Sequence, residues 1–138
     1  MKPAGDERTP DGRAQQAAAP AREQLLTVTF EDRDDALTVV VSGEVDGLTA
    51  PRLRSALRDA FDRLLGRILV LDLSDVEFLG SPGLRTLLDS AHEGMGHPGY
   101  QPLRVVVDSN RPVIRPIEIA GLDNVLALYP SVSDALTG

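Results

Sequence analysis

The chain of 138 residues has no cysteine and no tryptophan, two histidines (His92 and His97), and one lysine, Lys2, among its 14 basic residues. Without cysteine there is no disulfide framework, no thiolate metal site and no thiol nucleophile. Two histidines are too few for a zinc site unless carboxylates complete it, and neither has a serine placed to form a nucleophile pair. The formal charge of −7 gives no basic footprint for a nucleic acid. No stretch approaches the roughly 20 apolar residues of a membrane span, and the N-terminus carries charge and proline where a secretory signal would have an apolar core. A soluble cytoplasmic protein with no membrane or nucleic-acid partner is expected. Phosphate loops are lacking too: "GSPG" has neither the length nor the lysine of a P-loop, and "EGMGHPG" precedes a strand where a helix would be needed. No cofactor is therefore expected.

What is present reads as one α/β domain behind a tail. Residues 1–24, "MKPAGDERTPDGRAQQAAAPAREQ", mix Pro, Gly, Ala and charge. They offer too little apolar surface to offset ordering entropy, which predicts a flexible tail, with the folded domain over 25–138. "LLTVTFED" and "ALTVVVSGEV", joined by "RDD", predict a β-hairpin. Leu53, Leu57, Phe61 and Leu64 recur at helical spacing after a Thr49 cap with Pro51 in the first turn, and Gly66 should end that helix. "RILVLDL" has the continuous apolar character of a strand covered on both faces, with Asp72 at its end making turn hydrogen bonds within "DLSD".

A second helix is expected from about Pro82, burying Leu84, Leu87, Leu88 and Ala91. A breaker-rich loop "EGMGHPGYQ", a strand "LRVVVD", a third helix between Arg111 and Ala120, a strand "NVLALYP" and a short helix "SVSDAL" complete the chain. Pro116 conflicts with a third helix beginning at Pro112, because its ring would crowd the carbonyl four residues back. A later start or a bend would resolve the conflict. The order β-β-α-β-α-β-α-β-α predicts a mixed, mainly parallel sheet of about five strands with four helices.

The join at Gly80-Ser81-Pro82-Gly83 admits two compatible readings. Serine followed by proline is a common helix opening, with Ser81 as N-cap and Pro82 at N1. An exposed serine there is also a place for a regulatory phosphate. Glu44 and Asp46 near the next helix start are either solvated charges favoured by the helix dipole or contacts for a basic partner. Arg85 should be exposed, and Asp72 could serve as acceptor in a phospho-aspartate receiver only if a second acidic cluster held magnesium.

Three stretches in order resemble the STAS domain family, in particular its bacterial anti-sigma factor antagonists (anti-anti-sigma factors). "LVLDLSDVEFLGSPGLRTLL" is similar to the family's central signature, "VSGEVDGLTAPRLRSAL" to its Gly-Glu-Leu-Asp segment, and "IEIAGLDNVLALYPSVSDAL" to its C-terminal end. The likeness spans Leu25 to Thr137. It implies a non-enzymatic, cytoplasmic regulator that takes part in partner switching. Its partner would be an anti-sigma factor that is a serine kinase with a histidine-kinase-like ATPase fold. Capture of that kinase would release a sigma factor, phosphorylation would end capture, and a phosphatase would reverse it.

The resemblance carries the phospho-acceptor role onto Ser81, and the partner surface onto Glu44, Asp46, Thr49, Gly80, Ser81, Pro82, Gly83 and Arg85. Where the family usually has an aspartate before the acceptor and a second serine after it, this chain has Gly80 and Pro82. A carboxylate and one backbone N–H are thereby missing beside the hydroxyl. A monomer or weak dimer is expected. The alternatives are a STAS-domain adaptor of a membrane transport ATPase and a receiver-like domain.

Overall fold

The computed structural model describes residues 25–96 and 101–138. The expected N-terminal tail and His97, in the expected loop, lie outside the described residues. Strand β1 (Leu26–Asp32) turns back antiparallel into β2 (Ala36–Val45), in a register running from Leu26 opposite Gly43 to Asp32 opposite Leu37. Helix α1 (Ala50–Asp62), β3 (Ile68–Leu79), α2 (Ser81–Gly94), β4 (Arg104–Val106), α3 (Arg111–Ile119), a 3₁₀ turn (Leu122–Asn124), β5 (Ala127–Tyr129) and α4 (Val132–Thr137) follow. The sheet order is β1-β2-β3-β4-β5, parallel from β2 onward. This is the expected mixed sheet with helices packed on it.

Both faces of the central strands are covered, which is why β3 reads as an unbroken apolar run. Leu69, Leu71 and Leu73 point into the main core with Leu53 and Leu57 of α1, Leu87 and Ala91 of α2, and Val113 and Ile117 of α3. Val70 and Val106 point the other way, onto Ala135 of α4. Leu84 and Leu88, expected to be buried, are half-buried at the margin of the main core. Among the described residues no helix is long and apolar enough to cross a membrane.

Three local expectations are corrected. Strand β3 does not end at Asp72; it continues to Leu79, paired with β2 through two register shifts. Between Val40–Asp72 and Ser42–Asp75, and again between Gly43–Val76 and Glu44–Phe78, β3 carries one residue more than β2. These are β-bulges. At the first, Asp72 Oδ1 accepts from the Ser74 N–H at 3.0 Å and the Ser74 hydroxyl at 2.7 Å. The aspartate makes the local bonds expected of it, but inside the strand.

Helix α1 ends at Asp62, and the reversal to β3 passes through Leu65 (φ 54°) before Gly66 (φ 80°). Helix α3 starts at Arg111 and runs through Pro116 without a later start. Its turns on either side of the proline are bonded: Val113 and Ile114 N–H donate to Asn110 O, and Ala120 N–H to Pro116 O.

Candidate functional site

The candidate residues meet where β2 and β3 end, and Val45 is the residue that joins them. Its carbonyl accepts the Gly80 N–H at 2.9 Å, and its side chain stands so close to Gly83 that a β-carbon there would lie 2.7 Å from Val45 Cγ1. The loop after β2 and the start of α2 therefore form one continuous surface. Gly43 lies inside β2, two residues before its end, paired with Leu26 on one side and Val76 on the other. Its φ is +104°, and a β-carbon would fall 1.7 Å from the carbonyl oxygen of Leu25, the residue before β1, so only glycine fits.

Residues 46–49 are held from within. Asp46 Oδ1 accepts from the N–H groups of Leu48 (2.9 Å) and Thr49 (3.1 Å), a side-chain mimic of a turn. Thr49 Oγ1 accepts from Asp46 N–H at 2.9 Å and donates to Glu44 O at 2.7 Å. Thr49 occupies the N-cap position of α1, but its hydroxyl faces back into the loop and makes no cap bond. It is fully buried (0% exposed), so its part is to brace the loop and its side chain offers no direct contact. Glu44 and Asp46 are half-buried.

The start of α2 differs from the sequence expectation by one residue. Gly80 is the N-cap, in extended conformation (φ −90°, ψ 179°), and its carbonyl accepts the Leu84 N–H at 3.0 Å. Ser81 is therefore N1 and Pro82 N2. Proline is tolerated there because the first N–H groups of a helix have no intrahelical acceptor. The Ser81 side chain is exposed and makes no cap bond, and its hydroxyl has no hydrogen-bond partner among the described residues. Pro82 is exposed beside it, whereas Gly83 is buried against Leu79 and Val45 and acts as packing, not surface.

Sequence reasoning missed two apolar residues at this end of the sheet, Phe78 (50% exposed) and Leu48 (56% exposed). Simple alternation would put Phe78 inside together with Val76. The bulge between them turns it out, and bulges leave no clear signal in hydrophobic pattern. The Phe78 ring lies against the Gly80 backbone, where a β-carbon would be 3.0 Å from its Cε2. Asn110 was missed as well. Its Nδ2 lies within reach of the carbonyls of Leu73 (3.0 Å), Ser74 (3.1 Å) and Val76 (2.6 Å). Pairing between β3 and β4 stops at Asp72–Val106, so this amide supports the bulged end of β3 beyond the reach of β4.

Arg85 is exposed as expected, its side chain 73% accessible, and it approaches Asp89 only to 3.5 Å. Asp89 has a shorter partner in Arg54 of α1 at 2.8 Å. The hydrogen bond from Arg54 holds the Asp89 carboxyl below its ordinary pKa, with Arg85 adding a charge effect. His92 is exposed late in α2. On the Gly43 side, an open groove of about 700 Å³ runs along Ser42, Ser74, Asp75, Glu77 and Asn110. Its charged walls are acidic, the opposite of what a phosphate or nucleotide requires.

Residues 27–135 match the STAS domain family. The anti-sigma-F factor antagonist RsfB of Mycobacterium tuberculosis (strain ATCC 25618 / H37Rv) is 37% identical over 117 residues, covering 82% of this chain and 88% of the relative. The anti-sigma F factor antagonist of Paenibacillus polymyxa is 30% identical over 112 residues, 81% of this chain and 93% of the relative. Among solved structures, an anti-sigma factor antagonist from Mycobacterium paratuberculosis superposes with a TM-score of 0.74 at 38% identity, covering 86% of this chain and 97% of that one. With a match that runs from β1 into α4 on a sheet of this order, the chain belongs to the STAS domain family.

Proposed function

We propose that the protein is a non-enzymatic, cytoplasmic anti-sigma factor antagonist. It captures an anti-sigma factor that is a serine kinase with a histidine-kinase-like ATPase fold, and so frees a sigma factor. Phosphorylation of Ser81 ends capture, and a phosphatase restores it. The relatives named above, described as antagonists of anti-sigma factors, support the binding role. The observation that carries the assignment of Ser81 is its place. It is an exposed hydroxyl without a hydrogen-bond partner among the described residues, on the first residue of α2, on the same surface as the braced 43–49 loop.

In this reading Glu44 and Asp46 set charge preference at the rim, Leu48 and Phe78 give the partner apolar surface to cover, and Gly80, Pro82 and Arg85 complete the contact around Ser81. Thr49 and Gly83 keep the two halves of the surface in place. A phosphate adds roughly −1.5 to −2 charges. The helix start tolerates that charge, whereas a partner packed over Ser81 would meet both bulk and uncompensated desolvation. No refolding of the domain is needed.

The test is co-purification with an ATPase-type kinase encoded beside a sigma factor, with and without ATP, followed by intact-mass measurement. Wild type should bind without ATP and gain one phosphate with it, and Ser81→Ala should bind and gain none. If wild type binds yet stays unmodified, or if Ser81→Ala gains the same phosphate, the role of Ser81 is wrong.

A further inference from the structure

We propose that Arg85 is the built-in counter-ion of a phosphate on Ser81, so that modification draws this arginine out of the docking surface and onto its own helix. Ser81 and Arg85 lie four residues apart on α2, and both are exposed. Side chains at that spacing face each other on a helix surface. Arginine offers a planar fork of donors that suits phosphate oxygens.

The surroundings leave Arg85 available for this. Its approach to Asp89 is long, at 3.5 Å, and Asp89 keeps Arg54 at 2.8 Å if Arg85 departs. The two other arginines early in α1 are already engaged: Arg54 with Asp89 and Thr86, and Arg52 with the Leu26 carbonyl at 2.7 Å. The remaining ionisable groups on the end of β2, the loop after it and the end of β3 are the carboxylates Glu44, Asp46, Asp75 and Glu77, which offer a phosphate no cation.

Backbone donors are reduced here to the N–H groups of Ser81 and Gly83. Pro82 has no N–H, and the Leu84 N–H is spent on the Gly80 carbonyl. The helix start thus has fewer donors for phosphate oxygens than a proline-free first turn. Arg85 supplies what Pro82 withholds. Phosphorylation then alters the surface twice, by adding bulk at Ser81 and by turning away the guanidinium.

The inference rests on Ser81 being the modified residue, but its test does not need a kinase. Phosphoserine is inserted at position 81 during translation, and the phosphate is titrated through its second ionisation by phosphorus NMR. An adjacent guanidinium favours the dianion, so the midpoint in the otherwise wild-type protein should lie roughly 0.3 unit or more below that of Arg85→Gln. Arg85→Lys should fall between the two, and the gap should shrink in high salt. Equal midpoints, or a higher one with Arg85 present, would overturn the pairing. A kinase that fails to modify Ser81 would be seen separately, in the co-purification experiment.

Discussion

A methyl group on Gly83 would have to enter a space where a β-carbon lies 2.5 Å from Leu79 Cδ1 and 2.7 Å from Val45 Cγ1. Val45 is β-branched and stiff, and its backbone is tied to Gly80, so α2 would have to move outward. Overpacking of this kind costs typically 1–3 kcal/mol, and alanine recovers up to about 1 kcal/mol in helix propensity. Gly83→Ala is expected to be destabilised by about 1 kcal/mol, seen as a lower urea midpoint; an unchanged or higher midpoint would show that the junction is loose. At this scale the sequence revealed which residues matter more readily than what each does. Serine before proline pointed to a capping Ser81, yet Gly80 caps, because proline fits N2 as well as N1 and leaves the serine hydroxyl uncommitted. Thr49 was legible as a helix boundary, but its inward bonds to Asp46 and Glu44 depend on how the loop closes.

Between elements, ion pairs join pieces that the core alone leaves to packing. Arg54 and Asp89 link α1 to α2 at 2.8 Å, and Asp32 at the end of β1 receives Arg67 and Arg63, both at 3.0 Å. Both carboxyls are held below the ordinary aspartate pKa, Asp32 chiefly by the Arg67 hydrogen bond and Asp89 chiefly by that of Arg54. A depressed folded-state pKa contributes stability above the unfolded pKa, and this is lost as pH falls through the folded value. The pairs are exposed, so the effect is small.

Wild type should therefore exceed Asp89→Asn in Tm by its full margin at neutral pH, and the margin should close below about pH 4. A margin independent of pH would contradict the assignment. The elements themselves were largely legible, since the hairpin, the three long helices and the apolar central strand follow from period and breakers. The length of β3 was not. Ser74 and Asp75 read as turn chemistry, and what keeps them in the sheet is pairing with β2 across two bulges and the amide of Asn110 from a distant element.

Across the whole molecule, the alternating units determine which end of the sheet carries the site. Strands β2 and β3 are parallel, and each delivers its C-terminal end to the start of the following helix. Glu44 to Thr49 and Phe78 to Arg85 are thus neighbours although a whole helix separates them in sequence. The order of motifs made that neighbourhood legible, but the exposure of Phe78 and the burial of Thr49 and Gly83 became visible only in three dimensions.

The central claim is that a phosphate on Ser81 ends capture of the anti-sigma kinase by acting at the surface alone. The most direct measurement is the affinity of that kinase, without ATP, for the protein carrying phosphoserine at position 81 against the unmodified protein, with far-ultraviolet circular dichroism recorded on both. A Kd raised at least about tenfold, equivalent to about 1.4 kcal/mol, with superimposable dichroism is the predicted result. Equal affinity, or weakened binding accompanied by loss of helix signal, would contradict it.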